Sequence, residues 1–181
     1  MADQGLIPFD DRDGYIWMDG KMLPWRDARI HVLTHALHYA SSVFEGERAY
    51  HGRIFRMEDH SDRLIKSADI MGMVMPYTSN ELDAAKLETL KANGLHNVQD
   101  AYVRAVAWRG AEEMGVGANR TKTHVAITCW RMPAYYPVDD LGIKLCTTEW
   151  RKPDPRTAPT QSKTACLYAV GTIAKHESAT K

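Results

Sequence analysis

Two turn dipeptides, Asp19-Gly20 and His51-Gly52, each separate two short strand-like runs, and they constrain the fold of this 181-residue chain most strongly. An Asp-Gly pair accepts the positive φ values of a tight hairpin turn. The flanking runs cover residues 15–18 and 21–23, then 43–50 and 53–55. The sequence therefore predicts two antiparallel β-hairpins. Between them we expect a strand at 30–33, then a turn of helix or an irregular loop over 34–42.

After residue 57 the apolar spacing changes from two residues to the helical period. The apolar side of the first predicted helix consists of Leu64, Ala68, Met71 and Met75. Proline cannot continue a helix, so Pro76 is expected to stop it.

A second helix is predicted directly after Pro76. Thr78 and Glu81 have the spacing of a capping box, and Asn93-Gly94 supplies a left-handed end. Its expected apolar side consists of Leu82, Leu87 and Leu90. Two amphipathic helices of this kind need a sheet to cover.

Strand-like runs return in the second half of the chain, at residues 101–108, 124–130 and 142–147, with an aromatic loop at 132–137. Strands in sequence with two helices on one face predict an α+β fold built on an N-terminal antiparallel sheet. We expect this domain to span residues 1–147. A proline-containing linker would follow over 148–162, and residues 163–181 would start an incomplete second α/β domain.

Charge and cysteine usage limit the classes of partner. Lysine plus arginine and aspartate plus glutamate both total 23, so no net field favours nucleic acid or an anionic membrane. Small neutral or zwitterionic molecules are the expected ligands. The three cysteines, Cys129, Cys146 and Cys166, are expected to be reduced packing residues of a cytoplasmic protein.

One lysine stands where a turn-like Pro-Thr segment meets the apolar run that begins at Thr164. The amine of Lys163 could form a Schiff base with a carbonyl cofactor if its surroundings keep it neutral and immobile. A solvated surface charge is the alternative for this type of residue.

The second hairpin could form the floor of a pocket. Phe44, Gly46 and Arg48 alternate onto one face as an aromatic wall, a gap and a cation, which suits a carboxylate-bearing substrate. The alternative is a surface hairpin with a solvated arginine. The histidines His31, His35 and His38 invite a metal interpretation, but without a positioned carboxylate or thiolate no metal site is predicted.

Residues 35–50, HALHYASSVFEGERAY, resemble the start of the branched-chain amino acid aminotransferases, which are pyridoxal-phosphate enzymes of fold type IV. Further similar stretches lie at 55–64, 102–116 and 159–168, in the same order. The resemblance implies that Lys163 binds pyridoxal 5'-phosphate and shuttles a proton as a neutral amine. It also implies that Arg63 binds the cofactor phosphate and that Tyr168 donates to the phenolic oxygen of the cofactor.

On the substrate side, the resemblance implies a pocket that admits an amino acid and a 2-oxo acid, namely a branched-chain L-amino acid and 2-oxoglutarate. The positions that match this pocket are Phe44, Gly46, Arg48, Tyr102 and Tyr135. Tyr39 and Val116 match positions that a neighbouring subunit lends, which implies a homodimer. Arg104 matches an arginine near the rim, and we expect it to support the pocket structurally.

The chain departs from the commonest family pattern at three positions. Met132 stands in place of tryptophan, Glu47 in place of an apolar residue and Leu167 in place of asparagine. The sequence therefore does not define how broad the apolar pocket is. The resemblance further implies a longer C-terminal part that completes the cofactor site, and we expect a competent enzyme to continue beyond Lys181. The alternatives are a D-amino acid aminotransferase, an aminodeoxychorismate lyase, or an inactive remnant that only dimerises.

Overall fold

The computed structural model describes residues 7–132 and 145–180. The chain forms a six-stranded sheet in the order β2-β1-β6-β5-β3-β4, and every strand pair in it is antiparallel. The strands are β1 (Tyr15–Met18), β2 (Lys21–Pro24), β3 (Ser42–Tyr50), β4 (Arg53–Ile54), β5 (Asp100–Arg109) and β6 (Thr123–Arg131). The predicted α+β class is confirmed.

Both predicted hairpins form, and their turns have the expected backbone. Asp19 and Gly20 have φ of 48° and 84°, and His51 and Gly52 have φ of 49° and 76°. Two consecutive positive φ values give the turn a twist that matches the right-handed twist of the flanking strands. These turns thus fix the pairing of β1 with β2 and of β3 with β4.

Two helices, α2 (Met57–Ile70) and α3 (Ser79–Ala92), pack on one face of the sheet. The predicted capping box of α3 is present, because the Thr78 side chain accepts from the Glu81 amide and the Glu81 side chain accepts from the Thr78 amide. Leu64 and Leu82 are fully buried in one core cluster with sheet residues such as Val103 and Ile127. At roughly 2 kcal/mol for each large apolar side chain, this burial is what holds the helices on the sheet.

Two shorter helices complete the described structure. The helix α1 (His35–Tyr39) is the expected turn of helix, and Ala40 ends it in the left-handed region with φ of 52°. A 3-10 turn at Ala165–Leu167 leads into α4 (Ala169–Ala179), which has no buried residue. No helix in the described ranges is long and apolar enough to cross a membrane.

The predicted strand at 30–33 is wrong. This segment is a turn in which the Thr34 amide and hydroxyl both donate to the His31 carbonyl, over 2.9 and 2.6 Å. The Leu33 amide donates to His31 Nδ1 over 3.1 Å. Such local bonds offer the backbone an alternative to a strand ladder, and they were not visible in the hydrophobic pattern.

Residues 133–144, including Tyr135, lie outside the described part of the chain, as does the first half of the strand predicted at 142–147. The described remainder of that run, 145–147, is not a strand. Leu87, predicted on the apolar side of α3, is 46% exposed, and Lys86 is fully buried in its place. Cys129 is a packing residue, and burial raises the pKa of its thiol to about 12. Cys146 and Cys166 are exposed, contrary to their expected packing role.

Candidate active site

The strand β3 separates two environments. Its alternation is regular, with Val43, Glu45, Glu47 and Ala49 buried against the helices and Phe44, Gly46 and Arg48 half-buried on the other face. The predicted placement of Phe44, Gly46 and Arg48 on one face is therefore confirmed. The period of two in a strand is the reason that pattern and structure agree.

The lysine segment is attached to the start of β3. Thr164 forms an antiparallel bridge with Val43, and the Phe44 amide donates to the Lys163 carbonyl over 3.1 Å. Ser67 of α2 holds the same segment, because its hydroxyl accepts from the Lys163 amide over 3.0 Å and its carbonyl accepts from the Ser162 hydroxyl over 2.9 Å. The backbone on both sides of the Lys163 side chain is thus fixed by β3 and α2.

Sequence reasoning missed Ser67. Its only sequence signal is its position four residues after Arg63, which places both residues on the same side of α2.

The side chain of Lys163 lies beside two aromatic rings. Its Nζ donates to the Tyr168 hydroxyl over 2.9 Å and lies 5.2 Å from the centre of the Phe44 ring. The Phe44 and Tyr168 rings pack against each other with centroids 4.8 Å apart. These contacts with Tyr168 and Phe44 give the Lys163 amine a defined direction.

A cleft of about 570 Å³ opens beside this amine, within the size range of small-molecule sites. Arg63, Lys163, Leu167 and Tyr168 are among the residues that line it. The fold thus brings the amine of Lys163, the phenol of Tyr168 and the guanidinium of Arg63 to one cleft.

Arg63 pairs with the buried carboxylate of Glu45. Glu45 accepts from Arg63 Nε over 2.5 Å and from Arg63 Nη2 over 2.6 Å, and it also accepts from His60 Nδ1 over 2.8 Å. Burial alone would raise the pKa of Glu45, but the hydrogen bonds from Arg63 and His60 outweigh it and lower that pKa. The bond to Glu45 in turn raises the pKa of Arg63.

A second group of the residues predicted for the substrate pocket surrounds Gly46. A Cβ at position 46 would lie 2.0 Å from the Tyr102 hydroxyl, so only glycine leaves room for this tyrosine. Arg104, the cross-strand partner of Gly46, donates to the Tyr102 hydroxyl over 2.9 Å, and its guanidinium lies 4.6 Å from the Phe44 ring centre. Phe44 therefore joins this group to Lys163.

Arg48 lies further along the strand. It is four residues from Phe44, or about 13 Å at 3.3 Å per residue, and its Nη2 donates to Asp100 over 3.0 Å. Arg48 thus stands at the opposite end of this face from the lysine.

Glu47 points away from this face. Lys86 Nζ lies 2.8 and 3.0 Å from its two carboxylate oxygens, and both side chains are fully buried. Burial raises the pKa of Glu47, and the Lys86 charge opposes that rise. Glu47, which stands where relatives have an apolar residue, therefore does not lie on the face that carries Phe44, Gly46 and Arg48. Leu167, by contrast, lines the cleft.

Tyr39 and Val116 are exposed, with 43% and 85% of their surfaces accessible. The two are connected through His35, whose ring stacks on Tyr39 at 4.5 Å between centroids. His35 Nε2 bonds to the Gly115 carbonyl over 2.9 Å, and Nδ1 bonds to the Ser41 hydroxyl over 2.6 Å. Other exposed apolar side chains nearby in sequence are Val32, Leu33, Leu37 and Met114.

The family model described as "Amino-transferase class IV" matches residues 42–181. The chain belongs to the class IV aminotransferases. A probable branched-chain-amino-acid aminotransferase of Rickettsia felis is 40% identical over 172 residues, which are 95% of this chain and 58% of the relative. This class IV chain therefore spans little more than half the length of that relative.

Two solved structures have the same fold. The branched-chain aminotransferase of Thermoproteus uzoniensis, solved with norvaline, has a TM-score of 0.84 and 32% identity, over 92% of this chain and 56% of that one. The T.th. branched-chain amino acid aminotransferase with pyridoxamine 5'-phosphate has a TM-score of 0.83 and 33% identity, with the same coverage.

Proposed function

We propose that this class IV chain takes part in transamination between a branched-chain L-amino acid and 2-oxoglutarate, with pyridoxal 5'-phosphate as cofactor. The observation that carries the proposal is the contact of Lys163 Nζ with the Tyr168 hydroxyl, in the cleft that Arg63 also lines. The similarity to branched-chain aminotransferases of bacteria and archaea supports the choice of substrate class.

The residues of the cleft fit the cofactor. An amine, a phenol and a guanidinium match an aldehyde, a phenolic oxygen and a phosphate, so Lys163, Tyr168 and Arg63 would hold these three groups. Pyridoxal 5'-phosphate, when bound, supplies the electron sink that this protein's own side chains lack. Lys163 would move the proton at the substrate α-carbon, and the Phe44 and Tyr168 rings would limit the directions open to Nζ.

The residues around Gly46, together with Arg48, would bind the substrate. Phe44 and the ring of Tyr102 offer apolar surface to a branched side chain, while Arg48 would bind the distal carboxylate of the acidic substrate. Tyr135, outside the described residues, is proposed as a further member of this pocket. Arg104 supports Tyr102 and Phe44 through the contacts described above.

We further propose a homodimer in the cytoplasm. Tyr39, Val116 and several apolar side chains near them in sequence are exposed, and clusters of exposed apolar side chains commonly mark interaction sites. In such a dimer Tyr39 and Val116 would complete the pocket of the partner.

Borohydride reduction in the presence of cofactor tests the role of Lys163, because it fixes the cofactor on the lysine that holds it. Peptide mapping is expected to find the pyridoxyl label on Lys163. Lys163→Ala should lose both label and turnover while keeping its fold, whereas Lys175→Ala, a change of an exposed lysine in α4, should keep both. A label on any other lysine would remove Lys163 from the proposed mechanism.

The substrate class is tested by comparing amino donors with 2-oxoglutarate as acceptor. We expect L-leucine to react and D-alanine not to react. The reverse result would indicate a D-amino acid aminotransferase. A protein that takes up no cofactor and transfers no amino group, yet dimerises, would be an inactive remnant.

A further inference from the structure

Glu45 is a fully buried carboxylate that no role assigned above explains. It lies on the helix-facing side of β3, whereas the pocket residues lie on the opposite side of the strand. Its partners are His60 and Arg63, which lie one turn apart on α2. A buried charge needs partners of this kind to offset its desolvation, and here one partner also reaches the cleft.

The contact between Arg63 and Glu45 leaves part of the Arg63 guanidinium available to bind another group. Nε and Nη2 each donate to one oxygen of Glu45, which is a two-point contact that fixes both the position and the plane of the group. Of the five N–H donors of arginine, these bonds use two. Among the described residues, Nη1 makes no hydrogen bond, and the Arg63 side chain is 53% exposed beside the cleft.

We propose that Glu45 is a positioning residue for anion binding, in that it holds the Arg63 guanidinium in the orientation that receives the cofactor phosphate. This role rests on the proposed function, since that is where the phosphate enters. A long, half-exposed arginine without this anchor would sample many rotamers and would have to be ordered when the phosphate binds. Glu45 fixes the side chain before the ligand arrives.

One effect opposes this role. The negative charge of Glu45 reduces the attraction of Arg63 for a phosphate, so a neutral residue at position 45 would strengthen binding if net charge were decisive. For a neutral residue at position 45, loss of orientation predicts weaker phosphate binding and loss of negative charge predicts stronger binding. A measured affinity therefore distinguishes the two effects.

The test compares two probes, pyridoxal 5'-phosphate and pyridoxal, which differ only in the phosphate. Dissociation constants are measured by absorbance titration of the full chain, so the result does not depend on turnover. We expect Glu45→Gln to weaken binding of pyridoxal 5'-phosphate about tenfold, as expected for a lost charge-assisted contact, and to leave binding of pyridoxal unchanged.

Asp100→Asn is the matched control, because it is also a carboxylate-to-amide change beside an arginine, here Arg48 on the opposite face of β3. It should leave both dissociation constants unchanged. In an Arg63→Ala background, Glu45→Gln should cause no further loss, since nothing remains to be positioned. Glu45→Asp keeps the charge but withdraws it by one methylene, and it should give an intermediate loss for the phosphate probe even if the glutamine variant folds poorly.

The positioning role is overturned if Glu45→Gln binds pyridoxal 5'-phosphate as tightly as the parent protein or more tightly. It is equally overturned if both probes weaken to the same extent, or if the loss persists in the Arg63→Ala background. A parent protein that binds neither probe through Lys163 would overturn the proposed function, and the role of Glu45 with it. Parent binding with no selective loss in the variant would overturn only the role of Glu45.

Discussion

The two faces of β3 use charge in different ways. On the helix side, Glu47 and Lys86 form a pair in which both side chains are fully buried. On the pocket side, the adjacent residue Arg48 pairs with Asp100, and these side chains are 23% and 32% exposed. The same strand therefore carries one ion pair out of water and another in partial contact with it.

The difference shows that these neighbouring charges perform different tasks. A buried pair is costly to break, because removal of one partner leaves a charge that neither water nor protein compensates. A partly exposed pair can separate at little cost, since water replaces the lost partner. The proposed binding of a substrate carboxylate by Arg48 would require such a separation from Asp100, whereas Lys86 stays paired with Glu47.

Breaking the buried pair should have the largest effect. Lys86→Met leaves Glu47 buried and unpaired, and it should lower the free energy of unfolding by about 3–5 kcal/mol in urea denaturation. The double variant Glu47→Leu/Lys86→Met should recover most of this loss, because neither charge of this pair then remains buried. A single variant within about 1 kcal/mol of the parent protein would contradict the comparison, as such small values are typical of exposed pairs.

Filling the gap on the pocket side should have the next largest effect. In Gly46→Ala the new Cβ meets the Tyr102 hydroxyl at 2.0 Å and its ring carbon Cζ at 2.9 Å, so the buried tyrosine must shift. We expect a loss of about 1–3 kcal/mol, as is usual for overpacking, measured by thermal denaturation. Gly171→Ala is the control, because a Cβ there meets nothing within 4 Å, and its melting temperature should not fall.

The stabilising contribution of Glu45 should depend on pH. The pKa of this carboxyl is lower in the folded protein than its ordinary value near 4.3, so the contribution is full above that value. It is lost as the pH falls through the lowered folded pKa. At pH 7, Glu45→Gln should cost about 1 kcal/mol, and the difference from the parent protein should shrink toward pH 3 in urea titrations. A difference that grows with acidity would contradict the direction of this pKa shift.

Breaking the exposed pair should have the smallest effect. Asp100→Asn removes the negative charge that pairs with Arg48, and we expect a change of about 1 kcal/mol or less in the free energy of unfolding. Chemical denaturation of the parent protein and the variant at low and high salt measures this change. At high salt the two free energies of unfolding should differ much less, because salt screens an exposed ion pair. A cost as large as that of Lys86→Met would mean that the two faces of β3 do not differ as proposed.

Much of the fold could be predicted because its signals are local. The turn at Asp19-Gly20 and the capping box of Thr78 and Glu81 depend on residues at most three positions apart. The alternation along β3 likewise follows from the strand period, so Phe44, Gly46 and Arg48 were correctly placed on one face. Where a competing local bond was stronger than the apolar pattern, as at His31 and Thr34, the predicted strand was wrong.

The sequence by itself determined the hairpins, the two amphipathic helices and the position of Lys163 at the start of an apolar run, because sterics and side-chain period act within a few residues. Only the tertiary structure decided that Ser67 holds the Lys163 backbone across 96 residues and that Lys86 reaches Glu47 across 39. Such partners are brought together by the order of the strands and the docking of α2 and α3. A buried Lys86 looks like a surface residue in the sequence, since its burial is stable only where the fold supplies the opposite charge.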